Sequence, residues 1–191
     1  MATKKPQPTI AVDPRSLFAL LGKPLEDKGV QALLKKSGKT KLQKPGRDGF
    51  YAFAKEAGYT LLFRPMPGAP KGTPPVVDTI FLHSEGQDGN RGFAFPFGLE
   101  AGMLSDDLRK SRGPSLAGNQ NHDLWKIDGL YVDVVYTSGS VAGIDVQGDY
   151  SKYRVLDLRI RAHEQDWDER RRLADQAKAN AQVSERLSKK T

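Results

Sequence analysis

A chain of 191 residues with 38 % hydrophobic content and no cysteine is long enough to bury a core without covalent staples, and it excludes disulfides, thiolate metal ligands and a cysteine nucleophile. Mean hydropathy is -0.56, and no run approaches the roughly 18 apolar residues of a membrane span. The net charge of +7 is confined to the first quarter: residues 1–47 hold eleven Lys/Arg and three acids, and the rest holds 19 basic and 20 acidic residues. Such a surface attracts an acidic protein as readily as a phosphate backbone.

Residues 1–12 read as a disordered lead of Lys, Pro and Gln. No apolar stretch follows Lys4 and Lys5, so a secretory signal is not expected and the expected compartment is the cytoplasm. Asp13-Pro14 reads as a helix N-cap with proline at the first helical position, leading into Ser16–Leu21 and stopped at Gly22. Around Asp27 a second helix starts, with Val30, Leu33 and Leu34 on one face, Lys35 and Lys36 in its last turn, and Gly38 as its end. Three strands are expected next, over 50–53, 59–63 and 76–82. The Pro/Gly-rich stretch 64–75 between the last two reads as an exposed loop, because proline has no N–H for a ladder.

The order then recurs. A helix is expected over 98–112, carrying Met103, Leu104 and Leu108 and stopped by Gly113-Pro114. Strands are expected over 124–127, 130–136 and 141–146. Leu34-Lys35-Lys36-Ser37 matches Leu108-Arg109-Lys110-Ser111, Gly58-Tyr59 matches Gly129-Leu130, and Val77–Ile80 takes the place of Val141–Ile144. An internal duplication follows, with repeats at 13–86 and 87–150. Residues 151–191 add a final strand, where Leu156, Leu158 and Ile160 alternate with Asp157, Arg159 and Arg161, and a helix-favouring tail. The expected fold class is α+β: two helix-plus-antiparallel-strand repeats forming one sheet backed by helices, with a C-terminal helix.

Catalytic signatures are absent: there is no nucleophile elbow, phosphate-binding loop, zinc-protease helix or dinucleotide fingerprint. The three histidines, His83, His122 and His163, lie in separate segments, so neither a metal nor a cofactor is expected. His83, Glu85 and Asp88 share one polar stretch that reads as part of a partner-binding rim. The spacing after Asp88 does not fit an EF-hand, and loop neighbours do not converge as a triad does. His122 beside Asp123 offers an acid/base pair or, more plainly, a turn into an aromatic strand. Trp125, Tyr131 and Asp133 are candidate partner contacts. If Val132 and Val134 face the helices, then Tyr131, Asp133 and Val135 line the other face of the sheet, and an aromatic and charged face suits a protein hot spot. These aromatics serve equally well as core. Lys35 and Lys36 begin a basic run that is either an electrostatic landing surface or a solvated helix end. Phe50, Tyr51 and Phe53 follow that run, and this keeps a nucleic-acid reading open.

Leu20-Leu21-Gly22-Lys23-Pro24-Leu25, the Val30–Leu34 helix, the aromatic strand pair, the strand entering Phe81-Leu82-His83-Ser84-Glu85-Gly86, and the later Phe95-Pro96-Phe97-Gly98-Leu99 together resemble bacterial toxin-immunity proteins of the kind encoded beside antibacterial effectors. The tandem unit is similar to the β-lactamase inhibitor protein and to small outer-membrane assembly lipoproteins, although the lipidation cysteine of the latter is missing. The resemblance spans about residues 16–146. It implies a non-enzymatic inhibitor whose partner is a cognate protein toxin, blocked by occlusion of its active site. The positive charge excess predicts an acidic toxin surface and tilts the reading away from a nuclease. The alternatives are a nucleic-acid-associated protein, an enzyme using His83, Glu85 and Asp88, and an adaptor tethered through its tail.

Overall fold

The computed structural model describes residues 12–44, 49–66, 69–84, 91–119, 122–137 and 154–162. Residues 1–11 of the expected lead, the expected strand over 141–146, the expected C-terminal helix, and Glu85 and Asp88 lie outside the described residues, while Val12 is buried in the core.

Among the described residues there are three short α-helices, and side-chain caps start the first two. In α1 (Pro14–Phe18) the Asp13 side chain accepts from the Arg15 N–H and proline occupies the first turn. In α2 (Lys28–Lys36) Asp27 caps two free amides, Gly29 N–H at 2.8 Å and Val30 N–H at 3.3 Å, and Gly38 ends the helix with φ 83°. Helix α3 (Ser105–Arg112) begins seven residues later than the apolar pattern predicts. Gly98 (φ 66°) and Gly102 (φ 82°) hold left-handed backbone that no helix accepts, and residues 102–104 are used for a strand bridge instead.

Among the described residues, eight strands form one sheet in which every pairing is antiparallel: β1 (Lys41–Leu42), β2 (Phe50–Ala54), β3 (Tyr59–Arg64), β4 (Val76–His83), β5 (Ala117–Asn119), β6 (His122–Ile127), β7 (Leu130–Thr137) and β8 (Arg154–Arg161). The spatial order is β1-β2-β3-β4-β8-β7-β6-β5. Two four-stranded meanders therefore meet at their last strands, with Ile80 opposite Ile160 and Leu82 opposite Leu158. The fold is α+β, with one antiparallel sheet backed by helices.

The two halves share a specific fastening. Before α2, the Gly22 N–H donates to Val77 O at 2.9 Å and the Val77 N–H donates to Lys23 O at 2.8 Å. Before α3, the Gly102 N–H donates to Val155 O at 2.8 Å and the Val155 N–H donates to Met103 O at 2.9 Å. Both glycines have positive φ, 80° and 82°, so in each half a glycine turn lays the helix entry along the start of a central strand. By this geometry β4 corresponds to β8 and Val77 to Val155; Val141–Ile144, the expected counterpart of Val77–Ile80, lies outside the described residues. The final strand is thus the partner of both halves at the centre of the sheet.

One face of the sheet packs on the helices. Leu17, Val30 and Leu34 join Ala52, Leu61, Phe63, Ile80, Leu82, Val132, Val134, Leu158 and Ile160 in a single buried cluster, and Leu108 of α3 closes its second half. Each described helix buries a residue in this cluster, so the described helices lie on this face of the sheet and the alternate strand residues on the opposite one.

Candidate functional site

Strand alternation decides what that opposite face presents. Val132 and Val134 are fully buried toward the helices, so Tyr131, Asp133 and Val135 of β7 point the other way. Register adds Arg159, Arg161 and Asp157 from β8, then Phe81 and His83 from β4. Thr60 and Leu62 of β3 follow, then Tyr51 and Phe53 of β2. His122, Leu124 and Lys126 of β6 complete the outer face.

The rings form a connected surface. Tyr51 stacks on Phe53 at 5.8 Å between centroids and tilts against Phe81 at 6.1 Å, and Phe81 stacks on His83 at 6.5 Å. Tyr51, Phe53, Phe81 and Tyr131 are half-buried. Cations lie over two of these rings: the Arg159 guanidinium is 5.8 Å from the Phe81 centroid and Lys126 Nζ is 5.2 Å from that of Tyr131.

A charge lattice occupies the middle. Asp133 is nearly buried and is shared by three neighbours: His122 Nδ1 at 3.0 Å, Arg161 Nη2 at 3.6 Å and Arg159 Nη1 at 3.7 Å. Asp157 faces His83 Nδ1 at 3.5 Å and accepts from the Ser84 N–H at 3.3 Å. Burial pulls the Arg161 guanidinium below its ordinary value. Asp133 and Asp78 oppose that shift, and Arg159 and Arg64 add to it.

No protein family model matches this chain, and no curated protein or solved structure is similar to it. The reading of the face rests on its own chemistry.

Of the sequence-predicted partner contacts, the structure brings Tyr131, Asp133 and His83 together on this face. Trp125 lies on the helix side, 5 % exposed, with its Nε1–H directed at Gly113 O at 3.4 Å. It sits directly opposite Val132 on the neighbouring strand, which makes it a core residue and corrects its assignment as a contact. Lys35 and Lys36 are exposed at the end of α2, on the helix side and away from the ring cluster. Arg159, Arg161, Asp157 and Phe81 were not singled out from sequence. The alternation of Asp157, Arg159 and Arg161 placed them on one face, but nothing local showed that their strand is central.

His122 and Asp123 do not form an acid/base pair, because consecutive strand residues point to opposite faces. Asp123 turns inward. Its Oδ2 accepts from Arg109 Nε at 2.7 Å and from the Tyr136 hydroxyl at 2.8 Å, and its Oδ1 accepts from Ser115 Oγ at 3.0 Å. Burial pushes the Tyr136 phenol well above the ordinary tyrosine value, and its bond to the Asp123 carboxylate adds to the shift. Burial also raises Tyr59, against a smaller opposing effect of its bond with Ser37. In the unfolded chain these phenols ionise near about pH 10. Their contribution to stability is thus complete below that pH and falls as pH rises above it. In an alkaline titration, two of the six tyrosines should gain tyrosinate absorbance at 295 nm only as the circular dichroism signal is lost. The double substitution Y59F/Y136F should remove that late step. Six tyrosines titrating ahead of unfolding would contradict the burial argument.

Thr60, His83 and Asp157 have the order of a nucleophile, base and orienting acid. Thr60 Oγ1 lies 2.9 Å from His83 Nε2, and His83 Nδ1 lies 3.5 Å from Asp157. However, Thr60 is buried in mid-strand, and its neighbouring amides belong to the sheet ladder. Donors aimed at a developing oxyanion, which acyl transfer needs, are therefore not supplied by this strand. The bond to Thr60 Oγ1 holds the His83 ring beside Phe81, while His83 Nδ1 is buried without a hydrogen-bond partner. Among the described residues, no group of three His, Cys, Asp or Glu could hold a metal ion, and no helix is long and apolar enough to cross a membrane. A cleft of about 610 Å³ opens on the helix side between α3 and the β6–β7 turn, lined by Met103, Leu108, Trp125 and Ile127 with Arg112 and Asp128. Arg112 is held there by a hydrogen bond to Phe97 O.

Proposed function

We propose that this chain is an immunity protein that binds a cognate bacterial toxin in the cytoplasm of the producing cell and occludes the toxin's active site, with no chemistry of its own. The observation that carries this reading is the outer face of the sheet. Tyr51, Phe53, Phe81 and Tyr131 present half-buried rings, with Arg159 and Lys126 laid over two of them. Tyrosine and arginine are the residue types that concentrate binding energy at protein interfaces, and a rigid sheet presents them at low entropic cost. The class of partner is taken from the short sequence phrases that resemble toxin-immunity proteins, and the face supplies the contact chemistry.

The test is co-expression with a toxic protein that this chain captures as a stoichiometric partner. Cells carrying the intact chain should survive. The double substitution F81A/Y131A should weaken the complex by roughly 100-fold or more, since a ring at a hot spot is worth about 2 kcal/mol or more, and protection should be lost. K35E/K36E, on the opposite side, should protect as the parent does. Lost protection in K35E/K36E but not in F81A/Y131A would move the interface to the helices, and no protection by the parent would end the immunity reading.

One observation favours a second reading. Lys41 of β1 is paired with Phe53, beside the Tyr51–Phe53 stack. A cation next to stacked rings also suits single-stranded nucleic acid. Tight binding of a single-stranded oligonucleotide, falling steeply with salt, would favour it.

A further inference from the structure

We propose that Arg159 and Arg161 form a carboxylate seat at the centre of the outer face, which receives an Asp or Glu side chain of the protein partner. This rests on the outer face being the partner-binding surface, and it specifies what that partner must present there.

Three observations carry the proposal. First, the lattice is short of anions. One carboxylate, Asp133, lies within 4 Å of three cationic or potentially cationic groups, His122, Arg161 and Arg159. Second, the available carboxylate does not satisfy its donors. Asp133 stands 3.6 Å from Arg161 and 3.7 Å from Arg159, both longer than a good hydrogen bond, while its short contact, at 3.0 Å, goes to His122. Arg161 Nε is buried with no hydrogen-bond partner, and leaving a charged donor unsatisfied is costly. Third, Arg159 is held for use. Its side chain is 45 % exposed and lies over the Phe81 ring. Stacking occupies the face of a guanidinium and leaves its N–H edge, which matches a carboxylate in two parallel bonds. The seat is bordered by Phe81 and Tyr131, so an entering carboxylate would be shielded from water and its bonds strengthened.

A partner carboxylate enters the seat between these two rings, which specifies the acidic group that an acidic partner surface would present here. A lysine-rich or neutral partner would leave Arg161 unsatisfied and place cations against Arg159 at close range.

The probe is a blocked peptide, acetyl-Gly-Gly-Glu-Gly-Gly-amide, titrated into the full ¹⁵N-labelled chain, with the Gln peptide as its control. The arginine Nε–H resonances are the readout. Arg159 and Arg161 should shift saturably with the Glu peptide and not with the Gln peptide. In R159Q, whose backbone spectrum should match the parent because the side chain is exposed, the apparent Kd for the Glu peptide should rise about tenfold. Equal movement of all arginine signals, equal response to the two peptides, or an unchanged Kd in R159Q would overturn the seat. The titration needs no toxin. A seat that saturates while co-expression fails removes the immunity reading alone, and protection without a seat removes only this proposal.

Discussion

Replacing Asp123 with alanine should cost about 3 kcal/mol of stability, and it should do so by unfastening the second half of the sheet from its helix. The carboxylate is 4 % exposed and accepts from three different segments: Arg109 of α3, Ser115 in the turn after it, and Tyr136 of β7. Removing one partner of a buried ion pair typically costs about 3–5 kcal/mol. The low end applies here because the Arg109 side chain is 33 % exposed and can recover water. Tyr136 is 4 % exposed, so its hydroxyl would keep the desolvation cost without its acceptor. A chain of this length loses roughly 2–4 °C of Tm per kcal/mol, which gives a fall of about 6–12 °C. D123N can keep its carbonyl oxygen toward Arg109 and Tyr136 and turn its amide to the Ser115 hydroxyl, which accepts as well as donates, so it should recover the hydrogen bonds but not the charge, and lose less than D123A. A double-mutant cycle of D123A with R109A measures the shared part. A loss below about 1 kcal/mol in D123A would show that the network is decoration rather than a clamp.

The same residue shows why some of the structure was legible in the sequence and some was not. Strand positions followed from alternation: the expected strands over 50–53, 59–63, 76–82 and 130–136 are found with ends moved by one residue. The condition attached to Val132 and Val134 also holds, so Tyr131 and Asp133 share the outer face. Partnership did not follow, because it depends on which strands become neighbours. His122 and Asp123 are adjacent in sequence, yet one pairs with Asp133 and the other with Arg109 across the sheet. Trp125 belongs to the core by its parity with Asp123, but an aromatic residue in a short strand reads equally as an anchor. The pairing of β4 with β8 was the least legible feature. The letters of Val77–Ile80 suggested Val141–Ile144, whereas the matching backbone bonds link Val77 and Val155 to glycine turns whose shared trait is positive φ rather than side-chain identity. The Asp128-Gly129 turn was a missed local signal. Both residues have positive φ, 50° and 80°, and Ile127 pairs with Leu130, which is the two-residue hairpin that this dipeptide favours.

Gly58→Ala should be nearly as damaging as D123A, at about 3 kcal/mol, although no side-chain contact is lost. Gly58 follows a 3₁₀ turn over Lys55–Ala57 with φ 75°. An L-residue there pays roughly 1–2 kcal/mol for left-handed backbone. A Cβ would also overlap the Gly92 carbonyl and approach Phe93 N to 2.8 Å, all backbone atoms. Those atoms are not free to retreat. The Arg91 N–H donates to Lys55 O at 3.1 Å, the Phe93 N–H to His83 O at 2.8 Å, and the His83 N–H to Gly58 O at 2.9 Å. Phe93 also meets Tyr59 edge-on at 6.4 Å. Gly129 provides the control: its φ is 80°, and a Cβ there meets nothing within 4 Å. G129A should cost only the backbone preference, so the difference between the two variants isolates the close approach of residues 91–93 to the β2–β3 hairpin. Hydrogen exchange reads the same event locally. The Arg91 and Phe93 amides should lose protection in G58A and keep it in G129A. Equal destabilisation by the two alanines would mean that this crossing does not bind the segment after β4 to the sheet. Unequal destabilisation, with His83 at the junction, ties the packing of a glycine on one edge of the fold to the placement of a histidine on its outer face.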